Sequence, residues 1–329
     1  MFLPDEIQEL LIPASASSRA LADEYDVTLH DILVDWRAAG SAEIGLVGVP
    51  FDTTILTRRG CRFGPDRVRN SMMAMNTYNP GFDVDLSTGF SVADFGNVDV
   101  LQTDVLATHA RVEAVSTAIF QTGVRPLILG GDHSLGYPDI KGLINSMDGE
   151  KIGVINIDSH LDVRHSHHGE LSHGTPFRRL LEEPGTPLPP KNLVELGING
   201  WATSRIYMDD VRELGVTVIM ARDLHRGDID EIVAQALEIA TDGVDAFFLS
   251  FDMDSVDLSA APGVAAPSPG GLTPYQALEL VWGIGQHPLC RGMDLLEVAP
   301  PLDSSGMTST LAAAIAMTFM GAVRSAGSR

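Results

Sequence analysis

Lys151-Ile152-Gly153-Val154-Ile155-Asn156-Ile157-Asp158-Ser159-His160-Leu161-Asp162 is the stretch on which the reading of the chain turns. A largely apolar run from Ile152 to Ile157 stops at Asp158, His160 and Asp162, metal-competent side chains at every second position. In an extended backbone successive side chains alternate faces, so these project to the same side. Two carboxylates and an imidazole crowded together repel or lose solvation unless something cationic sits between them. Taken alone, the motif also reads as an exposed polar loop after a buried strand.

Two other stretches repeat the plan. Pro126-Leu127-Ile128-Leu129 passes through Gly130-Gly131-Asp132 to His133, and Ala246-Phe247-Phe248-Leu249-Ser250-Phe251 runs into Asp252 and Asp254. In an open parallel sheet the carboxyl ends of the strands lie along one edge, and ligands bind in the crevice outside it. The clusters therefore meet at one crevice.

Working outward, strands predicted at residues 43–49, 91–95, 126–129, 152–157, 192–198, 217–220, 244–250 and 291–298 alternate with helices. The helices fall at residues 66–73, 104–121, 135–147, 175–182, 204–213, 228–240, 274–284 and 307–323. Such alternation is the pattern of an α/β protein with a parallel sheet covered on both faces. Residues 1–42 read as an N-terminal helical extension, with amphipathic helices at 5–11 and 29–38, ahead of one catalytic domain over residues 43–329. The extension is expected to pack against the domain or a neighbouring subunit. No G-x-G-x-x-G opens a helix after a strand, which disfavours a dinucleotide fold. Residues 307–323 are apolar but short for a bilayer span and carry Thr308, Ser309, Thr310 and Thr318, so a buried core helix is expected.

Composition narrows the classes further. With 329 residues, 44% of them hydrophobic, the chain can bury a large core. A net charge of −22 argues against nucleic acid or an anionic membrane as partner. Cys61 and Cys290 are the only cysteines, too few for a disulfide framework, and a cytoplasmic location is expected. The opening Met1-Phe2-Leu3-Pro4-Asp5-Glu6 lacks the features of a signal peptide. Arg58, Arg59 and Arg62 either line a mouth or pair with acidic surface, the commoner fate.

His133, Asp158, His160, Asp162, Asp252 and Asp254 supply imidazole nitrogens and carboxylate oxygens whose four negative charges two divalent ions would balance. The set suits manganese, with nickel, cobalt or zinc as competitors, and is unlike the thiolate sets of structural zinc. Two ions about 3.5–4 Å apart can bridge a water and lower its pKa, which points to hydrolysis. No G-x-S-x-G motif offers a covalent nucleophile.

Gly130-Gly131-Asp132-His133-Ser134, Asp158-Ser159-His160-Leu161-Asp162 and Ser250-Phe251-Asp252-Met253-Asp254-Ser255-Val256-Asp257 resemble the three metal signatures of the ureohydrolases, the arginase, agmatinase and formiminoglutamase superfamily. Val47-Gly48-Val49-Pro50-Phe51-Asp52, Gly60-Cys61-Arg62-Phe63-Gly64-Pro65, Ser172-His173-Gly174-Thr175-Pro176-Phe177-Arg178-Arg179 and Glu297-Val298-Ala299-Pro300-Pro301 resemble its agmatinase-like branch. The resemblance spans residues 43–323 and implies a three-layer αβα sandwich with a mostly parallel sheet of about eight strands. It implies one manganese on His133, Asp158, Asp162 and Asp252, and a second on Asp158, His160, Asp252 and Asp254. By the same resemblance Glu297 pairs with a guanidinium, His173 shuttles protons to the leaving amine, and Asp162 steadies the tetrahedral intermediate. Without the family, Glu297 reads as a strand-end charge and His173 as a loop histidine.

By the same resemblance the loop after Asp162 faces the far end of the substrate. Arg164 resembles the arginine of formiminoglutamases, and residues 261–267 lean the same way, whereas His173 and the residues after it lean towards agmatinases and guanidino-acid hydrolases. A cationic Arg164 suits a carboxylate tail and not an ammonium, unless it pairs with a surface acid. His165, with His167 and His168, either tunes the pocket, binds adventitious metal or is solvated. Ser159, Leu258 and Ala299 depart from the family pattern without removing a ligand, and make arginine a poorer substrate. The leading expectation is hydrolysis of a guanidino compound to urea and an amine, agmatinase-like or acting on a guanidino acid. The alternatives are a formiminoglutamase releasing formamide, a free guanidine or biguanide hydrolase, and a non-catalytic partner subunit. The family resemblance implies a homo-oligomer, trimer or hexamer, with a hetero-oligomer as the alternative.

Overall fold

Continuous buried apolar runs characterise strands covered on both faces, and β-branched and aromatic residues fill them here. In the computed structural model, which describes residues 23–165 and 171–327, the strands are β1 Leu33–Asp35, β2 Ile44–Gly48, β3 Tyr78–Asn79, β4 Val84–Asp85, β5 Val92–Asn97 and β6 Arg125–Leu129. They continue with β7 Ile152–Ile157, β8 Leu193–Ile198, β9 Thr217–Met220, β10 Ala246–Asp252 and β11 Cys290–Leu296. Nine form one sheet in the order β1-β5-β2-β6-β11-β10-β7-β8-β9, paired in parallel throughout. β3 and β4 form a separate antiparallel pair.

Alternation along β10 shows how the sheet is covered. Phe248 packs with Val112, Phe120, Ile140 and Leu143 of the helices Val105–Gln121 and Gly136–Ser146. Its neighbour Leu249 belongs to the opposite core, with Val233, Leu280, Ile315 and Phe319 of the helices Ile229–Thr241, Pro274–Gly285 and Met307–Ala326. Met307–Ala326 is long and apolar enough to cross a membrane, yet most of it is buried within this second layer, as expected for a core helix. Caps fix helix starts: Asp104 accepts from the amide of Ala107 at 3.0 Å, and Thr273 and Gln276 form a reciprocal capping box. Each such cap contributes about 1 kcal/mol.

The N-terminal region departs from expectation. Residues 5–11 lie outside the described residues, and the helix expected over residues 29–38 stops at Ile32. The chain then extends as β1 and pairs with β5, Leu33 opposite Val92 and Asp35 opposite Asp94. An unpaired strand edge offers a row of backbone donors and acceptors that outweighs a weak local helical pattern. Just past this pairing Trp36 stacks on Phe95 at 5.6 Å between ring centroids. This strand is the ninth, one more than the eight expected.

Candidate metal centre

Each cluster is a strand end folded back by its own carboxylate. Asp158 Oδ1 accepts from the amide of His160 at 2.6 Å, and Asp252 Oδ1 accepts from the amide of Asp254 at 2.7 Å. These turns keep the second side chain facing the same crevice after the strand has ended. After β6, Gly131 passes so close to the Phe51 backbone that a Cβ would lie 1.6 Å from its carbonyl oxygen. Only glycine lets the chain through to deliver His133. Asp162 and Glu297 adopt left-handed backbone, with φ of 46° and 65°. For residues with a side chain this costs about 1–3 kcal/mol and is found at sites where direction matters. The Glu297 amide is held on the Gly131 carbonyl at 2.8 Å, and the Asp162 carbonyl accepts from the Phe177 amide at 3.2 Å.

The crevice collects all six predicted ligand residues. His133 Nδ1 lies 3.1 Å from Asp158 Oδ2, 3.1 Å from Asp162 Oδ2 and 3.0 Å from Asp252 Oδ2. His160 Nδ1 lies 3.5 Å from Asp158 Oδ1 and 3.1 Å from Asp254 Oδ2. The two groups, His133-Asp158-Asp162-Asp252 and Asp158-His160-Asp254, share Asp158, and within each the ligand atoms lie within 4.8 Å of one another. Burial pushes Asp252 well above the carboxylate range, helped by the charges of Asp254 and Asp158, and pushes Asp254 up to about 6. His160 is raised, first by the charge of Asp254; burial opposes the charged form of His133, but the close approach of Asp158, Asp162 and Asp252 to its Nδ1 carries it upward.

These groups fit divalent cations. One imidazole nitrogen cannot donate to three carboxylates at once, and Asp158 Oδ2 is buried without a hydrogen-bond partner. A cation would take the place of the protons that the crowded carboxylates otherwise retain.

Beside the ligands, His173 Nδ1 stands 3.3 Å from Glu297 Oε1, which also accepts from the amide of His133 at 2.9 Å. Burial works against protonation of His173, yet the hydrogen bond and charge of Glu297 raise it to about 9. Asp162, Arg164, His165, His173, Asp252 and Asp254 line one cavity of about 350 Å³. Arg164 donates from Nη2 to the Ala202 carbonyl at 3.1 Å and lies 5.9 Å from the centroid of the Tyr207 ring. His165 tilts against the same ring at 5.8 Å. Arg62, considered for a mouth, instead pairs with the buried Asp52 through Nε and Nη2. His167 and His168 lie outside the described residues.

Sequence reasoning overlooked supporting groups. Ser159, noted only as a departure, donates to Asp254 Oδ1 at 2.8 Å, and the thiol of Cys61 donates to Glu297 Oε2 at 3.2 Å. Neither residue type announces itself in a sequence, because both contacts cross between distant segments.

A parallel αβα sandwich with paired carboxylate and imidazole groups at its strand ends defines a class of metal-dependent hydrolases. The Arginase family model matches residues 42–321, and the chain belongs to this family, whose members hydrolyse amidino C–N bonds. It is 35% identical over 272 residues to the mitochondrial guanidino acid hydrolase of Homo sapiens, covering 82% of this chain and 75% of that one. The crystal structure of formimidoylglutamase from Bacillus subtilis superposes with a TM-score of 0.89 at 29% identity, over 97% of this chain and 98% of that one. Formiminoglutamase from Trypanosoma cruzi, solved with Mn2+, matches with a TM-score of 0.82 at 25% identity, over 91% and 99% of the two chains.

Proposed function

We propose that this chain hydrolyses a guanidino acid to urea and an amino acid, using two manganese ions. One observation carries the choice of tail: Arg164 lines the same cavity as the ligand residues, and among the described residues no carboxylate pairs with it. An exposed guanidinium at the cavity wall, bound only to a carbonyl and a ring, is ready for a carboxylate and hostile to an ammonium such as agmatine's.

His133, Asp158, Asp162 and Asp252 would hold one ion, and Asp158, His160, Asp252 and Asp254 the other. The oxygen-rich set with two imidazoles suits manganese, and the Trypanosoma cruzi relative was solved with it. When bound, the ions supply Lewis acidity and acidify water. The chain's own residues do the remainder. Glu297 exchanges the weak thiol of Cys61 for the substrate's guanidinium and balances its charge as the planar carbon becomes tetrahedral. His173, held protonated by Glu297, gives a proton to the departing nitrogen, because an amine leaves far more readily than its anion. Arg164 anchors the carboxylate, and His165, backed by the Tyr207 ring, walls the tail.

A panel of guanidinoacetate, guanidinopropionate, guanidinobutyrate, agmatine, arginine, free guanidine and formiminoglutamate on manganese-loaded protein tests this. Urea from a guanidino acid, with agmatine a poor substrate, is expected. Arg164→Ala should raise KM for the acid about 10- to 100-fold, the worth of one charge-assisted contact. Formamide from formiminoglutamate as the main product would replace this reading with the second one, which the Bacillus subtilis structural likeness favours. Loss of every product on the panel would sink both.

A further inference from the structure

Four neighbouring strands carry one polar row across the sheet. It consists of Asp294 on β11, Ser250 on β10, Asn156 on β7 and Glu195 on β8, with Ser250 in register with both Asp294 and Asn156, and Asn156 with Glu195. The row lies two residues before Asp252 and Asp158, one pleat beneath the candidate ligands and on the same face. All four side chains are fully buried. Such groups in an otherwise apolar sheet are costly unless each has a partner.

Ser250 is the member that reaches the site. Its Oγ lies 3.1 Å from His133 Nε2, while Nδ1 of that ring faces Asp158, Asp162 and Asp252. A hydroxyl has one proton to give. Were it given to Nε2, the neutral ring would carry its own proton on Nδ1, the atom that must offer a lone pair to a cation. Asp294 settles the direction. It stands beside Ser250 across the β10–β11 ladder, its Oδ1 accepts the Phe251 amide at 3.2 Å, and its buried Oδ2 has no hydrogen-bond partner. That open oxygen is an acceptor within the row for the Ser250 hydroxyl, which leaves the Ser250 oxygen to receive the Nε2 proton of His133.

We infer that Asp294, acting through Ser250, is a positioning residue that holds His133 in its Nε2–H tautomer and thereby sets the affinity of the site for metal. The inference rests on the metal-centre reading above. The other half of the row serves as its control. Asn156 Nδ2 donates to Glu195 Oε2 at 2.8 Å, and neither Glu195 oxygen bonds a ligand residue.

Full-length wild type, Ser250→Ala, Ser250→Thr, Asp294→Asn and Glu195→Gln are stripped of metal and titrated with Mn2+ by calorimetry. The ring nitrogens of 15N-histidine-labelled, Zn2+-loaded protein report the tautomer. Ser250→Ala and Asp294→Asn should bind Mn2+ about 10- to 100-fold more weakly, the usual effect of removing such a support, and should lose the Nε2–H signature of His133. Ser250→Thr, which keeps the hydroxyl, should restore both, and Glu195→Gln should match wild type. Wild-type affinity in Ser250→Ala and Asp294→Asn overturns the inference, as does an equal loss in Glu195→Gln, which would make the row general packing. If Asp294→Asn fails to fold, the Ser250 pair decides. Absence of Mn2+ binding by wild type overturns the metal-centre reading, and this inference with it.

Discussion

His173 and Glu297 make the residue scale testable before any substrate is added. The folded pKa of His173, about 9, stands above the unfolded value of 6.5, so its contribution to stability is fully present below about pH 6.5 and is lost as pH rises through about 9. In metal-free protein, His173→Asn should therefore narrow the gap in urea midpoint between pH 6 and pH 10. Glu297→Gln should return the His173 titration, followed by NMR, towards 6.5. With manganese bound, His173→Asn should lower kcat about 10²- to 10⁴-fold, the range for a lost general acid, and leave KM little changed. At this scale the sequence was most legible where side chains repeat at alternate positions, as at Asp158, His160 and Asp162. It was least legible where one atom sits under another from a distant strand. Ser250 and Cys61 are ordinary buried residues until the sheet register and the loop before the helix Gly64–Met73 put them against His133 and Glu297.

Elements bring these groups together, and their junctions are exacting. Gly131→Ala would drive a methyl group into the Phe51 carbonyl, where backbone cannot yield cheaply, so we expect a loss of about 3 kcal/mol or more in unfolding free energy by denaturant titration. The helix Val105–Gln121 is tied to the same junction by His109, whose Nε2 is 3.1 Å from Ser134 Oγ and whose Nδ1 is 3.2 Å from Arg179 Nη1. Burial, and then the charge of Arg179, lower His109 to about 3. The folded ring stays neutral while the unfolded one takes a proton below 6.5, so stability is whole above that pH and drains away as pH falls towards 3. His109→Gln should flatten the dependence of urea midpoint on pH between 7 and 4. Strand and helix positions were readable because buried runs and caps are local signals. The edge strand β1 was not, since its pairing with β5 depends on a partner nearly sixty residues away.

For the whole molecule, metal and stability are linked. A ligand that binds only the folded chain stabilises it by about 2.7 kcal/mol when present at a hundred times its Kd. Chelation should lower the melting temperature, and manganese should restore it together with activity. His133 and His160 are both raised towards the protonated form, so metal uptake should release protons. Calorimetry in buffers of different ionisation enthalpy measures that release directly; an identical heat in every buffer would contradict it.

The strand order gives the molecule a centre and two rims. β6, β10 and β7, which lead into the ligand residues, and β11, which leads to Glu297, are contiguous, while β1 and β9 lie at the margins. Fraying begins where a strand has a neighbour on one side only, so a marginal strand can peel away while the candidate metal centre stays seated. Turnover on heating should consequently persist through the first local loosening and vanish only when the middle of the sheet lets go.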